Sequence, residues 1–220
     1  MRPQVSQSHL RFPFTYCLGN EGAVRVLRAL LAHGGALSVS QLAREGGLTP
    51  RGTRQTLDNL VRQRIVKVLG QSRSQLFAID AQNPLYEGLQ KLFGCEQSLW
   101  DELFNALREI LQANEHVEAA WYYGSVARGE DTPASDLDIA IIASEGQVEI
   151  ATESIRQELQ KVEDRLFVHC SVVGLSGSDA IRLSEQGDDW WRNLARDAKV
   201  LKGTEPGQYL RAHKPLRLPA

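Results

Sequence analysis

The stretch Gly124-Ser125-Val126-Ala127-Arg128-Gly129-Glu130, then Ser135-Asp136-Leu137-Asp138 and the apolar run 139–142, decides how the chain is read. Residues 117–123 are β-prone and lead into it, so the order is strand, Gly-Ser turn, short helix, loop, strand. A Gly and a Ser at the start of a short helix allow close backbone approach, so that free N–H groups and the Ser hydroxyl can hold phosphate oxygens. Asp136 and Asp138 are two positions apart on a strand, so both carboxylates point to one face. Two such charges repel unless cations sit between them. One or two Mg²⁺ ions would turn that repulsion into a binding site for nucleotide phosphates.

The whole pattern, Gly-Ser-x-Ala-Arg-Gly, six residues ending in Ser135, Asp-x-Asp and an apolar strand, resembles the minimal nucleotidyltransferases of the DNA polymerase β superfamily. The resemblance covers roughly residues 99–202. It extends over an amphipathic helix at 147–162, a strand at 166–173, and a final helix at 190–201 containing Trp190 and Trp191, read as core aromatics. It implies that Gly124, Ser125, Arg128 and Ser135 bind an NTP, as ligand or substrate, and that Asp136 and Asp138 are catalytic Mg²⁺ ligands. Active members carry a third carboxylate on the later strand, which can serve as base for an acceptor hydroxyl. Here that stretch reads Val168-His169-Cys170-Ser171-Val172, with His169 or Ser171 where Asp is expected. His169 can act as base or ligand, and Glu163 and Asp164 would need a displaced register to help.

Upstream, Val24, Leu27, Leu30 and Leu31 recur at helical spacing until Gly34-Gly35 stops them. Ser38 and Gln41 form a capping-box pattern for a short second helix ended by Gly46-Gly47. Thr49 and Pro50 open a third helix whose buried stripe is Thr53, Leu57, Leu60 and Val61. Two β-prone runs, 65–69 and 75–79, follow around a polar loop at 70–74. Three helices, the last two at helix-turn-helix spacing, and a hairpin resemble the winged helix-turn-helix domain. On that resemblance residues 50–64 are the recognition helix, with Arg51, Arg54, Gln55 and Asn59 placed to read bases in the major groove. Arg62, Arg64 and Lys67 would hold phosphates, and Arg73 at the wing tip would approach a minor groove. A protein-interaction module with solubilising arginines is the alternative use of the same helix.

The charge distribution bears on that choice. The chain has 220 residues and a net charge of −2. Residues 1–80 hold eleven Lys/Arg against four Asp/Glu (+7), and residues 81–220 hold fourteen against twenty-three (−9). A basic module joined to an acidic one fits a nucleic-acid-binding segment beside a non-binding domain. With 42% apolar and 24% charged residues the composition is that of a globular protein. No membrane-length apolar run or signal-type segment is present, and three widely spaced cysteines read as reduced thiols, so a soluble cytoplasmic protein with no membrane partner is expected.

The expected fold class is α+β: a winged helix-turn-helix domain at 1–80, a linker helix at 81–97, a nucleotidyltransferase-like domain with a mixed sheet and flanking helices at 98–203, and a tail at 204–220. Two apolar stripes, 85–93 and 96–113, are read as helices that bridge domains or pair subunits in a homodimer. The Pro-containing tail, basic at its end, is expected to be poorly ordered or to lie across a partner. Two functions compete. One is a regulator that binds double-stranded DNA and uses its second domain to bind a nucleotide or partner protein. The other is an enzyme that moves a nucleoside monophosphate from an NTP to a hydroxyl on a protein, RNA or small molecule, in a toxin–antitoxin setting for example.

Overall fold

The computed structural model describes residues 13–71 and 75–213. Contacts divide the chain between Gln97 and Ser98 into two compact units.

In the first unit, α1 (Pro13–Cys17) precedes α2 (Glu21–His33), α3 (Val39–Glu45) and α4 (Pro50–Arg62), followed by β1 (Val66–Leu69) and β2 (Leu76–Ile79). Helices α2, α3 and α4 each start where the sequence offers an acceptor for the orphan N–H groups. Asn20 accepts from the Ala23 amide at 2.8 Å, Ser38 and Gln41 close a capping box, and Thr49 accepts from the Gly52 amide at 3.1 Å ahead of Pro50. β1 and β2 pair antiparallel, Val66 opposite Ile79, and Leu37 forms an isolated antiparallel bridge with Phe77. The core gathers Leu27 and Leu30 of α2, Leu42 of α3, Leu57 and Leu60 of α4, and Phe77 of β2. Each such side chain, fully buried, contributes roughly 1.5–3 kcal/mol. Helix α4 buries Thr53, Leu57 and Leu60 of the stripe expected of it, and Val61 packs partly buried against the same core.

The two stripes between the units form a single helix, α5 (Tyr86–Ala113). Leu89 and Phe93 join the first core, whereas Phe104, Leu107 and Leu111 join the second. The break expected between the stripes is absent because Gly94 and Cys95 lie within the helix and no proline interrupts it.

The second unit is built on β3 (Val117–Tyr123), β4 (Leu137–Ala143), β5 (Cys170–Ser176) and β6 (Lys199–Lys202), in the order β5-β4-β3-β6. Only β4 and β5 run parallel, so the sheet is mixed. Central β4 is buried on both faces, which is why it reads as a continuous apolar run rather than an alternating one. Between β3 and β4 lies α6 (Gly124–Arg128), and α7 (Val148–Leu166) connects β4 to β5. Ile155 and Leu159 of α7 pack with Leu107 and Leu111 of α5 on Ile139 and Ile141. The other face takes α8 (Gly177–Gln186), α9 (Asp189–Asp197) and α10 (Pro206–His213), through Ala180, Trp191, Leu194 and Tyr209. Trp191 meets Trp121 edge-on at 6.3 Å, and Trp190 meets Tyr123 at 5.8 Å, so both tryptophans pack as read from the sequence.

Three expectations need correction here. The strand expected at 166–173 begins only at Cys170, because α7 runs on to Leu166 and turns at Phe167 with φ 53°. The final helix expected at 190–201 stops at Asp197, and Lys199–Lys202 pairs with β3 as an edge strand. The stretch expected to be loose after Gly203 folds into α10 as far as His213, anchored by buried Tyr209, whose hydroxyl donates to Glu118 at 2.8 Å.

Candidate functional site

The end of β3, the short α6 and the start of β4 bring the quoted motif together. Tyr123 is opposite Asp138 in the antiparallel register, and Gly124 follows with φ 76°, a conformation that L side chains rarely adopt. A Cβ on Gly124 would lie 2.5 Å from Asp138 Oδ2, so the glycine also makes room for the carboxylate. No side chain caps α6, so its first N–H groups have no capping side-chain acceptor.

Asp138 is half-buried on β4 and Asp136 is exposed just before it. Burial, then repulsion from Asp136, pushes the Asp138 carboxyl above its ordinary range, while Arg128 pulls the other way. The native state thus holds this proton more tightly than the unfolded chain does. Ionisation of Asp138 destabilises the fold, and metal-free stability falls as pH rises from the ordinary carboxylate range through the raised native value. Asp138→Asn is expected to be more stable than wild type at neutral pH without divalent metal, and to lose this pH dependence. Chemical denaturation with chelator between about pH 4 and 7 checks it. An Asn variant that is less stable at neutral pH contradicts the reading.

The later strand settles which residues neighbour the pair. In the parallel register Ser171 stands directly beside Asp138 on the same face of the sheet. His169 precedes β5; its side chain is 72% exposed and its Nδ1 lies 3.6 Å from Glu163 Oε1. Glu163 in turn accepts from the Cys170 amide at 2.7 Å on the open edge of β5, so it closes an edge rather than facing Asp138. Burial pushes the Cys170 thiol up to about 12, so it stays protonated at neutral pH.

Arg128 is engaged by acids. Its Nε donates to Glu130 at 2.8 Å and its Nη1 to Asp197 at 2.6 Å, while Arg196 and Arg128 together hold the Asp197 carboxyl down to about 2. Asp197 thus ties α9 to the motif, a role not read from the sequence although the residue lies inside the final helix expected at 190–201. Ser135 Oγ accepts from the Thr132 amide at 3.0 Å and shapes the loop before β4. Among the described residues no cluster of three His, Cys, Asp or Glu could hold a metal, so an ion here would rest on two carboxylates and its ligand's oxygens.

In the first unit, Arg51 and Gln55 of α4 are exposed, opposite its buried stripe, with no hydrogen bond or ion pair among the described residues. Arg54 is pinned to the wing: its Nη2 donates to Gln75 at 3.1 Å and its guanidinium lies 5.6 Å from the Phe77 ring centre. Asn59 accepts from Arg62, which also reaches the Asp58 carbonyl at 3.3 Å. Lys67 lies 4.0 Å from Asp80, and Arg73 falls outside the described residues.

Two family models match the chain: the nucleotidyltransferase domain described as polymerase beta over residues 105–186, and the MarR family over residues 20–74. Among solved structures, a toxin-antitoxin crystal structure with AMP-PNP is 21% identical, with a TM-score of 0.36, covering 50% of this chain and 82% of that one. The antimony-specific transcriptional repressor AntR is 20% identical, with a TM-score of 0.36, covering 46% of this chain and 86% of that one. A MarR family transcriptional regulator from Silicibacter pomeroyi DSS is 22% identical, with a TM-score of 0.30, covering 51% and 95%. No curated protein matches the chain.

Residues 20–74 are thus similar to the MarR family and residues 105–186 to the polymerase beta nucleotidyltransferase domain, matching the winged helix-turn-helix of the first unit and the mixed sheet of the second. Among the described residues no helix is long and apolar enough to cross a membrane.

Proposed function

We propose that this regulator binds double-stranded DNA through α4 and the wing, and that its second domain holds a nucleotide with Mg²⁺ at Asp136 and Asp138 without efficient transfer. The observation that carries the reading is the face of α4: Arg51 and Gln55 stand free for base edges while Thr53, Leu57 and Leu60 anchor the helix in the core. Asn59 and Arg62 extend that face, Arg64 follows just past the helix end, and Arg54 stiffens the link to the wing. The chain would act in the cytoplasm as a homodimer, each copy reading one half-site.

In the second domain, the room that Gly124 leaves for the Asp138 carboxylate, and the repulsion that Asp136 adds, fit a divalent cation. Mg²⁺ would neutralise charge on phosphate oxygens there. The α6 amides and Ser125 would receive those oxygens, while Arg128 acts mainly by holding α9. With Ser171 beside Asp138, no third carboxylate takes the acceptor's proton.

Millimolar Mg²⁺ and NTP are expected to raise the melting temperature, by about 2.7 kcal/mol of stabilisation when ligand is a hundredfold above Kd. Asp138→Asn is expected to abolish that gain. No shift in wild type would overturn the nucleotide reading.

The intact Gly124–Asp138 arrangement also supports a second reading: an active transferase moving a nucleoside monophosphate to a hydroxyl on a partner protein, RNA or small molecule. The register makes Ser171, rather than His169, the position to test. Ser171→Asp is expected to raise labelled-nucleotide transfer above wild type, whereas His169→Ala leaves it unchanged. Wild-type turnover that Ser171→Asp does not increase would favour the transferase reading, with the proton taken by another group.

A further inference from the structure

Beside Asp136 lies a cleft of about 490 Å³ whose walls are largely apolar: Trp100, Leu103, Val126, Phe167 and Val168 face it, with Ser135 and Asp136 at the rim. Two of these residues are poorly explained by packing. Phe167 is 96% exposed and adopts φ 53°, the left-handed conformation, at the end of α7. The ends of α2, α6 and α8 take that conformation with Gly34, Gly129 and Gly187. An aromatic side chain at the fourth such end is sterically disfavoured and leaves its ring in water. Trp100 is 44% exposed; its ring centre lies 4.3 Å from that of Phe104, which lies 4.7 Å from Tyr122. The indole is thus backed by tilted rings anchored in the core through buried Phe104.

We propose that Trp100 and Phe167 are the nucleobase platform of this domain, stacking the planar base of the nucleotide whose phosphates lie with Asp136 and Asp138. The inference rests on the nucleotide reading given above and adds which residues take the base. Charge orients the ligand. The described residues of the cleft include Asp131 and Asp136 but no Lys or Arg, so it repels a bare phosphate and suits the uncharged end of a nucleotide. Aromatic faces bind every base through its π surface, so the platform gives affinity with modest base preference.

Calorimetric titration of the full chain with each of the four NTPs and with inorganic tripolyphosphate, all with Mg²⁺, tests the proposal. For Phe167→Gly, NTP affinity is expected to fall about tenfold. Tripolyphosphate affinity should be unchanged, and the melting temperature should equal or exceed that of wild type, because glycine fits the left-handed conformation. Trp100→Leu should show the same split between ligands. NTP affinity unchanged in both variants overturns the platform while leaving the nucleotide site standing, and assigns the cleft to another occupant such as an apolar segment of a partner protein. Loss of tripolyphosphate binding and of melting temperature together with NTP binding would mark these residues as structural and also overturn it. If wild type binds neither ligand, the nucleotide reading fails and the platform with it.

Discussion

Alanine at both Arg51 and Gln55 is expected to lower affinity for the preferred duplex at least roughly thirtyfold, since each lost bidentate base contact costs roughly 1–3 kcal/mol. Both side chains are exposed on the face of α4 away from Thr53, Leu57 and Leu60, so the variant should melt where wild type does. Binding to unrelated duplexes should change far less, because phosphate contacts from the remaining cations carry that term. Arg54 is a poorer choice for this test: its bond to Gln75 and its place over Phe77 make it part of the wing's support. Arg54→Ala should weaken specific and non-specific binding together and cost some stability. Competition gel shifts with specific and random duplexes measure both effects; equal losses on the two duplexes from the Arg51/Gln55 pair would remove base reading from α4.

Gly124→Ala should have the second large effect. At φ 76° a Cβ is strained by roughly 1–2 kcal/mol. The new methyl would also meet Asp138 Oδ2 at 2.5 Å and drive the carboxylate out of its position. Loss of the melting-temperature gain from Mg²⁺ and NTP is expected, with a decrease in unliganded stability of about 1–3 kcal/mol. This differs from Asp138→Asn, which loses the same gain while becoming more stable without metal. The two variants thus separate the shape of the cradle from its charge. A Gly124→Ala protein that still gains stability from Mg²⁺ and NTP would show that the carboxylate does not need the room this glycine provides.

Local signals carry most of the fold. Caps at Ser38 and Thr49, glycines at helix ends, and the apolar periodicity of α4 and α7 act over three or four residues and are visible in the chain. What escapes depends on tertiary contact. The four residues of β6 carry no strand signal of their own and are strand only because β3 offers an edge. Gly88 and Gly94 do not break α5, since two glycines cost little against a 28-residue helix. In the site, the spacing of Asp136 and Asp138 is legible from period two, but the choice between His169 and Ser171 needs the register of β4 on β5. Arg128 reads as a phosphate ligand until Asp197, sixty-nine residues later, is found holding it.

Whether the first domain places this protein on DNA is measured most directly by a gel-shift or filter-binding titration of the full chain against pooled genomic duplex fragments, at low and at physiological salt. A subset of fragments is expected to be retained at physiological salt and all to bind at low salt, with affinity falling steeply and linearly on a log–log plot against salt. Failure to bind any duplex at low salt would contradict that placement and make α4 a protein-interaction surface.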